Sequence, residues 1–387
     1  MELLLASAGF GLAVAALVYI IGATIIVLFA RYNAPDASAG TLPVTVFKPL
    51  CGAEPGLYES LRGFFQLDYP SYQLIFGVRH AGDPALDVVT RLQAEFPAVD
   101  VCVVDDPRVH GRNLKVSNLL NMAAKARHDT WVISDSDIRV APDYVQRMTA
   151  ALADPNVGAV TALYASSPLS DTIAGALAAL HVDDWFLPSV LVARALGKTD
   201  FCLGSTMAVR RDTLRAIGGF EALKDYLADD YMLGLLLGRA GYRVALAPDI
   251  VRTTVTETTF AELFAHELRW ARTIKSVEPL SFVFSCLMNT ISVAFIAAVL
   301  LVAAGQGWSV ALLTVTLAVM FRLGLHAAVG GRLERTDRKM WLVPLRDLIS
   351  FAIWARSFIG RSVAWRGQKL TVDGRGVLAD VVGEGTS

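Results

Sequence analysis

Two aspartates directly follow a short apolar run in the middle of the chain. The run Trp131 to Ser134 is rich in β-branched residues, and Asp135 and Asp137 come next, separated by one serine. Carboxylate oxygens bind hard divalent cations, and such cations also bind phosphate oxygens. A cation held there would neutralise charge that develops on a diphosphate leaving group. The pattern therefore indicates a metal site on one or both aspartates; the alternative is a solvated loop whose aspartates cap the next turn.

A second acidic pair, Asp229 and Asp230, stands at the start of the helix-like run Tyr231 to Ala240. Acidic residues are common in the first turn of a helix because they interact favourably with its dipole. The functional alternative is that one carboxylate acts as a general base, which removes the proton of an acceptor hydroxyl as that hydroxyl attacks. The spacing alone does not choose between the two aspartates.

A third motif, His266-Glu-Leu-Arg269-Trp270, falls on an amphipathic helix expected from about Phe260 to Ile274. Residues 266, 269 and 270 are related as i, i+3 and i+4, so they share one helix face. Arg269 can bind a phosphate with its guanidinium fork, while Trp270 shapes the pocket or contacts the acceptor. A basic helix at a membrane interface, with its Trp at headgroup depth, would show the same pattern.

Weaker candidates complete the set. Asp83 is a candidate ligand for a base or ribose, or it caps the helix that follows. Lys115 and Asn118 lie one turn apart on a predicted helix, and that face meets a nucleotide or solvent. A further polar group precedes an apolar run and comprises His181, Asp183 and Asp184.

The elements that position these residues alternate between 43 and 280. Short apolar runs predict strands, and runs with helical spacing separate them. The strands are Val44–Phe47, Leu74–Val78, Val99–Val104 and Trp131–Ser134; the helices are Leu57–Gln66, Ala85–Glu95 and Leu114–Ala126. This alternation predicts an α/β fold with a parallel sheet, in which ligands bind at the carboxyl ends of the strands. Asn33 to Thr41 is a predicted linker.

Three uncharged or nearly uncharged stretches predict membrane spans: Leu3 to Phe29, Ser281 to Ala304 and Trp308 to Ala328. Each is long enough to cross a bilayer, which needs about 20 residues. The second and third form a hairpin. The third contains Arg322 and His326 near its far end, where a long side chain can reach the interface.

Basic residues near the predicted spans set the orientation. Arg31 follows the first span, and Arg332, Arg335, Arg338 and Lys339 follow the third, so the middle of the chain should face the cytoplasm. We expect an interfacial or re-entrant helix at 342–360, because spanning would export a basic tail that carries Arg361, Arg366, Lys369 and Arg375. The expected domains are an anchor (1–31), a catalytic domain (43–280), a hairpin (281–328), that helix (342–360) and a cytoplasmic tail (361–387).

Composition supports this organisation. Hydrophobic residues make up 54% of the 387 and charged residues 18%, a balance that argues against an ordinary soluble enzyme. Lysine and arginine number 35 against 36 acidic residues, so no basic excess argues for a nucleic-acid partner. The four cysteines stand far apart, and this spacing indicates neither a zinc site nor a disulfide framework. A reducing compartment fits best.

In this order the motifs resemble lipid-modifying glycosyltransferases of family 2 type, and most closely the ceramide glucosyltransferases of family 21. They are similar also to the hopanoid-synthesis enzymes that act on bacteriohopanetetrol. The resemblance covers about 43 to 275 and is carried by Phe47-Lys-Pro-Leu50, Gly77-Val-Arg-His-Ala-Gly-Asp83-Pro-Ala85, Gly111-Arg-Asn-Leu-Lys115-Val-Ser-Asn118, Ser134-Asp-Ser-Asp-Ile-Arg-Val140, Ala228-Asp-Asp-Tyr231 and the motif at 266–270.

The resemblance implies a Rossmann-like GT-A domain and a role for each motif. Asp83 and the region of Lys115 and Asn118 would contact the nucleotide, and Asp135 and Asp137 would serve Mg²⁺ or Mn²⁺ and the diphosphate. Asp230 would be the base, and Arg269 and Trp270 would complete the diphosphate and acceptor site. His80 and His266 depart from the usual residues of these motifs.

The expected protein is an integral membrane enzyme, in the inner or plasma membrane if bacterial. It would be an inverting glycosyltransferase that moves a sugar from a UDP-sugar to a lipid hydroxyl at the cytoplasmic face. The first expectation is UDP-glucose and ceramide; the alternative is UDP-N-acetylglucosamine and bacteriohopanetetrol. A non-catalytic membrane scaffold is the alternative from another class.

Overall fold

The computed structural model describes residues 1–30, 42–335, 338–360, 362–365, 368–374 and 376–380. The predicted linker and the basic residues Arg31, Arg361, Arg366 and Arg375 lie outside them. The chain divides into two compact units. We call Met1–Arg31, Ser170–Gly197 and Glu257–Arg361 the helical unit, and Tyr32–Leu169, Lys198–Thr256 and Ser362–Ser387 the sheet unit.

The helices of the described residues, in chain order, are α1 Glu2–Phe29, α2 Leu57–Phe65, α3 Ala85–Glu95, α4 Leu114–Ala123, α5 Tyr144–Thr149, α6 Ile173–His181, α7 Leu187–Ala195, α8 Arg211–Ala216, α9 Asp229–Arg239, α10 Phe260–Val277, α11 Pro279–Phe284, α12 Thr290–Ala303, α13 Trp308–Arg332 and α14 Val343–Ser357. The strands are β1 Val44–Pro49, β2 Tyr72–Val78, β3 Val101–Asp105, β4 Thr130–Ser134, β5 Ile138–Arg139, β6 Val157–Pro168, β7 Thr206–Arg210, β8 Arg243–Val255, β9 Ser362–Trp365, β10 Gln368–Val372 and β11 Leu378–Asp380.

The sheet unit is built on strands ordered β3-β2-β1-β4-β7-β6-β8-β5. The first four in this order pair in parallel, as the sequence predicts. The sequence pattern does not predict β7, which runs antiparallel to both β4 and β6 and makes the sheet mixed. The carboxyl ends of β1, β2 and β4 therefore lie at the same edge of the sheet as the start of β7.

Successive residues of the central strands enter two different apolar clusters. Val46, Leu74 and Val132 belong to one cluster, and their neighbours Phe47, Ile75 and Ile133 belong to the other. Because side chains alternate along a strand, both faces of the sheet are covered by apolar side chains. The helices that connect the strands supply much of this apolar cover. The polar residues of the motifs are therefore left at the edge of the sheet, where the strands end.

The helical unit contains three helices that are long and apolar enough to cross a membrane within the described residues. They are Glu2–Phe29, Ile173–Ala195 and Trp308–Arg332. Ile173–Ala195 consists of α6, a π-helical turn at Val182–Phe186 and α7. The sequence analysis did not single it out, since it placed these residues inside the catalytic domain.

The predicted span Ser281 to Ala304 is not one straight helix, because a bend of 79° separates Pro279–Met288 from Thr290–Ala303. Asp347 accepts hydrogen bonds from the N–H groups of Ile291 and Ser292, at 3.2 and 2.9 Å. This buried carboxylate thus satisfies the amides that the bend exposes at the start of α12. The expectation that Arg322 reaches the interface is wrong: its side chain is 2% exposed and its Nε lies 3.7 Å from Asp347.

The described part of the expected C-terminal tail forms an antiparallel sheet, in the order β11-β10-β9, within the sheet unit. Leu370, Val372 and Leu378 of this small sheet form an apolar cluster with Leu227. The small sheet therefore packs beside the segment that leads into α9.

Candidate active site

The turn Asp135-Ser136-Asp137 begins directly after β4. The N–H of Asp135 donates to the carbonyl oxygen of Ser205 at 3.0 Å. The carboxylate of Asp135 accepts from Lys115 Nζ at 2.6 Å, and its side chain remains 37% exposed. The start of β7 and the first turn of α4 thus fix Asp135 while its carboxylate stays open to a ligand.

Asp137 is held by β8, near the edge of the sheet that lies opposite β3. Its Oδ2 accepts from the hydroxyl of Thr253 at 2.6 Å, and its backbone carbonyl accepts from the N–H of Thr254 at 3.0 Å. Burial, followed by the charge of Asp135, raises the pKa of Asp137 to about 6. Two carboxylates placed this closely favour a bound cation, because a positive charge relieves their repulsion.

Lys48 lies beneath the same turn, and the sequence analysis gave it no role. Its ammonium group is fully buried, donates to the backbone carbonyl of Asp135 and to Ser134 Oγ at 3.3 Å, and lies 3.9 Å from the centre of the Phe64 ring. Burial lowers the pKa of Lys48 to about 7, although the charges of Asp137 and Asp135 oppose this shift. Lys48 therefore positions the turn through its backbone; the signal that could have found it is a lysine inside an otherwise apolar strand.

Asp230 is brought to the same place by Gly204. Lys115 Nζ, which binds Asp135, also donates to the carbonyl oxygen of Gly204 at 3.3 Å. A Cβ on Gly204 would lie 2.8 Å from Asp230 Oδ2, so only glycine allows this approach. Burial, then the charge of Asp229, raises the pKa of Asp230 to about 6. The two acidic motifs thus approach each other across Lys115 and Gly204.

The two neighbouring aspartates differ in their surroundings. Asp229 is 7% exposed, and its Oδ1 accepts from Asn113 Nδ2 at 3.1 Å. Asp230 is only partly buried, and its Oδ1 accepts from the N–H of Tyr231 at 2.8 Å. Burial alone would lower the pKa of Lys115, but the charges of Asp135, Asp229 and Asp230 raise it above its ordinary value. Lys115 therefore stays charged between these carboxylates.

Asp83 and Asn118 both contact backbone. Asp83 Oδ1 accepts from the N–H of Ala85 at 2.9 Å and from the N–H of Gly52 at 3.0 Å, so it satisfies the first amide of α3, although Pro84 holds the N-cap position. Asn118 is 4% exposed and donates to the carbonyl of Gly77 at 2.8 Å, which excludes the solvent-facing alternative. Contact of either residue with a nucleotide stays a prediction.

The motif at 266–270 belongs to the helical unit. His266 and Trp270 are in contact, with ring centroids 4.2 Å apart, as the i, i+4 spacing predicts. His266 Nδ1 is hydrogen-bonded to Glu257, and Trp270 stacks on His181 with centroids 5.9 Å apart. Glu267 is buried and accepts hydrogen bonds from both terminal nitrogens of Arg346, at 2.8 and 2.7 Å. The roles predicted for Arg269 and Trp270 stay predictions.

The polar group at 181–184 has structural partners within the helical unit. Asp184 is fully buried, binds His326 Nδ1 at 2.6 Å and is paired with Arg338. Asp183 lies 3.6 Å from the guanidinium of Arg335. The two aspartates therefore connect the π-helical turn to α13 and to the residues that follow it.

The acidic turn fits a divalent cation that shares its coordination with a substrate. No group of three or more His, Cys, Asp or Glu side chains in the described part of the chain is arranged to hold a metal ion. Asp135 and Asp137 supply two carboxylates, and Mg²⁺ is commonly held by one or two carboxylates together with substrate phosphates. The donor set therefore suits a cation that also binds a diphosphate.

A family model described as Glycosyl transferase family 21 matches residues 11–378. Ceramide glucosyltransferase 1 of Caenorhabditis elegans is 29% identical over 238 residues, which are 60% of this chain and 50% of that protein. An N-acetylglucosaminyltransferase of Rhizobium meliloti is 24% identical over 241 residues, 59% of this chain and 55% of that protein. The chain spans about half the length of the curated relatives it matches.

Among solved structures, a mannosyltransferase from Pyrobaculum calidifontis, in complex with GDP-Man and Mn²⁺, superposes with a TM-score of 0.55. It is 19% identical, and the match covers 92% of this chain and 98% of the other. At this identity the likeness concerns the fold alone. It confirms the predicted GT-A architecture, in which a mixed sheet replaces the wholly parallel one expected.

Proposed function

We propose, since this chain belongs to glycosyl transferase family 21, that it transfers a sugar from a nucleotide sugar to a hydroxyl group of a membrane lipid. The observation that carries the proposal is the approach of the two acidic motifs. Lys115 Nζ is 2.6 Å from Asp135 and 3.3 Å from the carbonyl of Gly204, where an added Cβ would lie 2.8 Å from Asp230 Oδ2. A group that binds the donor and a group that activates the acceptor thus share one edge of the sheet.

Asp230 is the proposed general base. Its Oδ2 faces Gly204, whereas the carboxylate of Asp229 is occupied by Asn113. In the ionised form, Asp230 takes the proton of the acceptor hydroxyl as the oxygen attacks the anomeric carbon. Attack from the side opposite the departing nucleotide gives inversion, and a β-glycoside from an α-linked donor.

Asp135 and Asp137 are the residues that would hold Mg²⁺ or Mn²⁺ together with the donor diphosphate. A cation held by these two residues would supply charge neutralisation for the leaving diphosphate. Lys115 fixes the carboxylate of Asp135, and Lys48 fixes the backbone of the turn. Arg269 and Trp270 are proposed to complete the diphosphate and acceptor site, and Asp83, Lys115 and Asn118 the nucleotide site.

The proposed donor is a UDP-sugar, with UDP-glucose and ceramide as the first pair to test. The ceramide glucosyltransferases among the relatives support this choice. The second candidate is transfer from UDP-N-acetylglucosamine to bacteriohopanetetrol. The similarity to the rhizobial N-acetylglucosaminyltransferase supports the sugar of this pair, and the likeness of the sequence motifs is the ground for its acceptor. The two differ in a few contacts to the sugar and in the acceptor, and such contacts set specificity.

The sheet unit is proposed to face the cytoplasm, where nucleotide sugars are made, and the apolar helices to hold the chain in the membrane. The domain division of the sequence analysis is part of this proposal with two changes: Ser170–Gly197 and Glu257–Arg361 group with the helical unit, and Ser362–Ser387 groups with the sheet unit. An acceptor dissolved in the bilayer would then enter the site from the membrane side.

The experiment is mass spectrometry of lipid extracts from cells with the gene, without it, and with Asp230→Asn in its place. We expect one glycolipid that is present only with the unaltered gene, and its mass and fragments name both sugar and lipid. If the glycolipid persists with Asp230→Asn, a scaffold role replaces the catalytic one. The matched control is Asp129→Asn, which makes the same change of side chain at a surface position of the sheet unit, where Asp129 is 83% exposed. Cells with this variant should contain the glycolipid.

A further inference from the structure

The small C-terminal sheet is hydrogen-bonded to the loop that precedes Asp229 and Asp230. The N–H of Leu378 donates to the carbonyl of Asp225 at 2.8 Å, and the N–H of Leu227 donates to the carbonyl of Gly376 at 3.0 Å. Tyr226 and Val377 form an antiparallel bridge between these two bonds. The loop is therefore paired, as a short extra strand, with the hairpin of β10 and β11, which we call the C-terminal hairpin.

Side chains strengthen this pairing. Leu378 is 1% exposed and packs with Leu227, Leu370 and Val372. Gly376 has φ +78°, a conformation in which a side chain is strained, and it lies in the tight turn that presents its carbonyl to Leu227. The hairpin thus contacts the loop through one buried leucine and one glycine carbonyl.

The opposite side of the loop is held by the start of α4. The N–H of Asn113 donates to the carbonyl of Lys224 at 2.8 Å, and Asn113 Nδ2 donates to the carbonyl of Tyr226 at 2.8 Å. The same Nδ2 lies 3.1 Å from Asp229. The loop is clamped between α4, which carries Lys115, and the C-terminal hairpin.

We propose that Leu378 and Gly376 are positioning residues for Asp230, and that the C-terminal hairpin is a working part of the catalytic domain rather than a tail. The inference rests on the proposed function, in which Asp230 is the base. Asp230 stands three residues after Leu227, at the first turn of α9, so movement of the clamped loop moves its carboxylate. A misplacement of about 1 Å in a catalytic group reduces turnover by about 10²-fold.

The test compares the full-length variant Leu378→Asp with Ala379→Asp, which places the same charge on the exposed face of the same strand. Three quantities are measured: kcat for transfer, affinity for UDP, and hydrogen–deuterium exchange at the amide of Leu227. We expect Leu378→Asp to lower kcat by about 10²-fold, to leave UDP affinity unchanged and to expose the Leu227 amide to exchange. Ala379→Asp should match the unaltered chain in all three.

Other outcomes overturn the inference. Unchanged kcat in Leu378→Asp, or a Leu227 amide that stays protected, removes the positioning role; loss of UDP affinity indicates general disruption of the sheet unit instead. If Leu378→Asp does not fold, Gly376→Ala is held to the same criteria, since it strains only the turn. If the unaltered chain transfers no sugar, the proposed function fails, and the exchange of the Leu227 amide still decides whether the clamp exists.

Discussion

Asp230 combines the two properties that a general base for a hydroxyl needs. Its side chain is only partly buried, and its pKa, raised to about 6 by burial and by Asp229, places it closer to neutral pH than an ordinary aspartate. A base whose pKa approaches the working pH removes a proton more effectively while remaining mostly ionised.

The rate of transfer should therefore fall as the pH falls through about 6. A raised pKa means that the carboxylate takes up its proton at a higher pH than usual, and the protonated form is not a base. We expect a constant kcat/KM above this region and a tenfold loss per pH unit below it, because kcat/KM reports the ionisation of the unliganded protein. Initial rates at subsaturating substrate, with the divalent cation saturating so that Asp137 stays ionised, check this; a kcat/KM that persists down to the ordinary pKa of aspartate would contradict the assignment.

A side chain at Gly204 should displace the carboxylate of Asp230. A Cβ there would lie 2.8 Å from Asp230 Oδ2, so alanine must displace the carboxylate or the loop. We expect Gly204→Ala to lower kcat by about 10²-fold while the protein remains folded. Gly11→Ala is the control, because its added methyl group meets open space within 4 Å. Equal kcat values for the two variants would show that Asp230 does not act from this position.

Removal of divalent cations should abolish transfer if Asp135 and Asp137 hold one with the diphosphate. With the cation gone, their repulsion returns and the donor diphosphate loses its charge partner. Titration with a chelator, measured as kcat and reversed by added Mg²⁺ or Mn²⁺, is the experiment. Chelator saturated beforehand with Mg²⁺ is the control. Full activity without divalent ions would mean that these aspartates serve another purpose.

At the scale of the elements, α14 is held in the helical unit by a buried ion pair as well as by apolar packing. Arg346 of α14 is 1% exposed and forms a bidentate pair with Glu267 of α10, which is 3% exposed. Ser350 accepts from Arg346 Nε at 2.9 Å, and the carbonyl of Leu177 accepts from its Nη1 at 3.3 Å. The pair holds α14 against α6 and α10, the helix that bears Arg269 and Trp270.

Removing one partner of this pair should lower the free energy of unfolding more than replacing both partners. Glu267→Ala leaves a buried guanidinium unpaired, and such a change costs about 3–5 kcal/mol. Replacing both partners by methionine should be nearly neutral, because two ions no longer need desolvation. Thermal unfolding in detergent compares the variants. Arg62→Ala is the control, since Arg62 pairs with Glu95 at the surface and such pairs contribute about 0–1 kcal/mol. A double variant as unstable as Glu267→Ala would contradict this reasoning.

The elements predicted from sequence are those with strong local periodicity. The bounds of α3 are as predicted, and those of α2 and β1 to β4 differ by one to two residues. The placement of Asp135 and Asp137 after β4 also follows from sequence, because strand ends in such sheets are recognisable. The antiparallel β7, the bend before α12 and the C-terminal sheet depend on partners distant in the chain. Lys48 illustrates this, since its partner Ser134 is 86 residues away.

At the scale of the whole molecule, the proposed function requires one chain to work in two solvents. The proposed donor, a nucleotide sugar, is soluble in water, whereas the proposed lipid acceptor stays in the bilayer, so the chain would need both a polar site and apolar membrane-spanning helices. The sheet unit supplies the acidic edge, and the helical unit supplies helices long and apolar enough to cross a membrane. The family match over residues 11–378 includes residues of both units, so it covers the long apolar helices as well as the acidic edge.

The most direct measurement is transfer of radiolabelled sugar from UDP-glucose, and separately from UDP-N-acetylglucosamine, to lipid by the purified full-length chain in bilayers that contain ceramide or bacteriohopanetetrol. The account predicts a labelled, base-stable glycolipid from one pairing, with Asp129→Asn as active as the unaltered chain and Asp230→Asn reduced by about 10²- to 10⁴-fold while it still binds UDP. Transfer by Asp230→Asn at the unaltered rate, or no labelled lipid from any pairing, would contradict it.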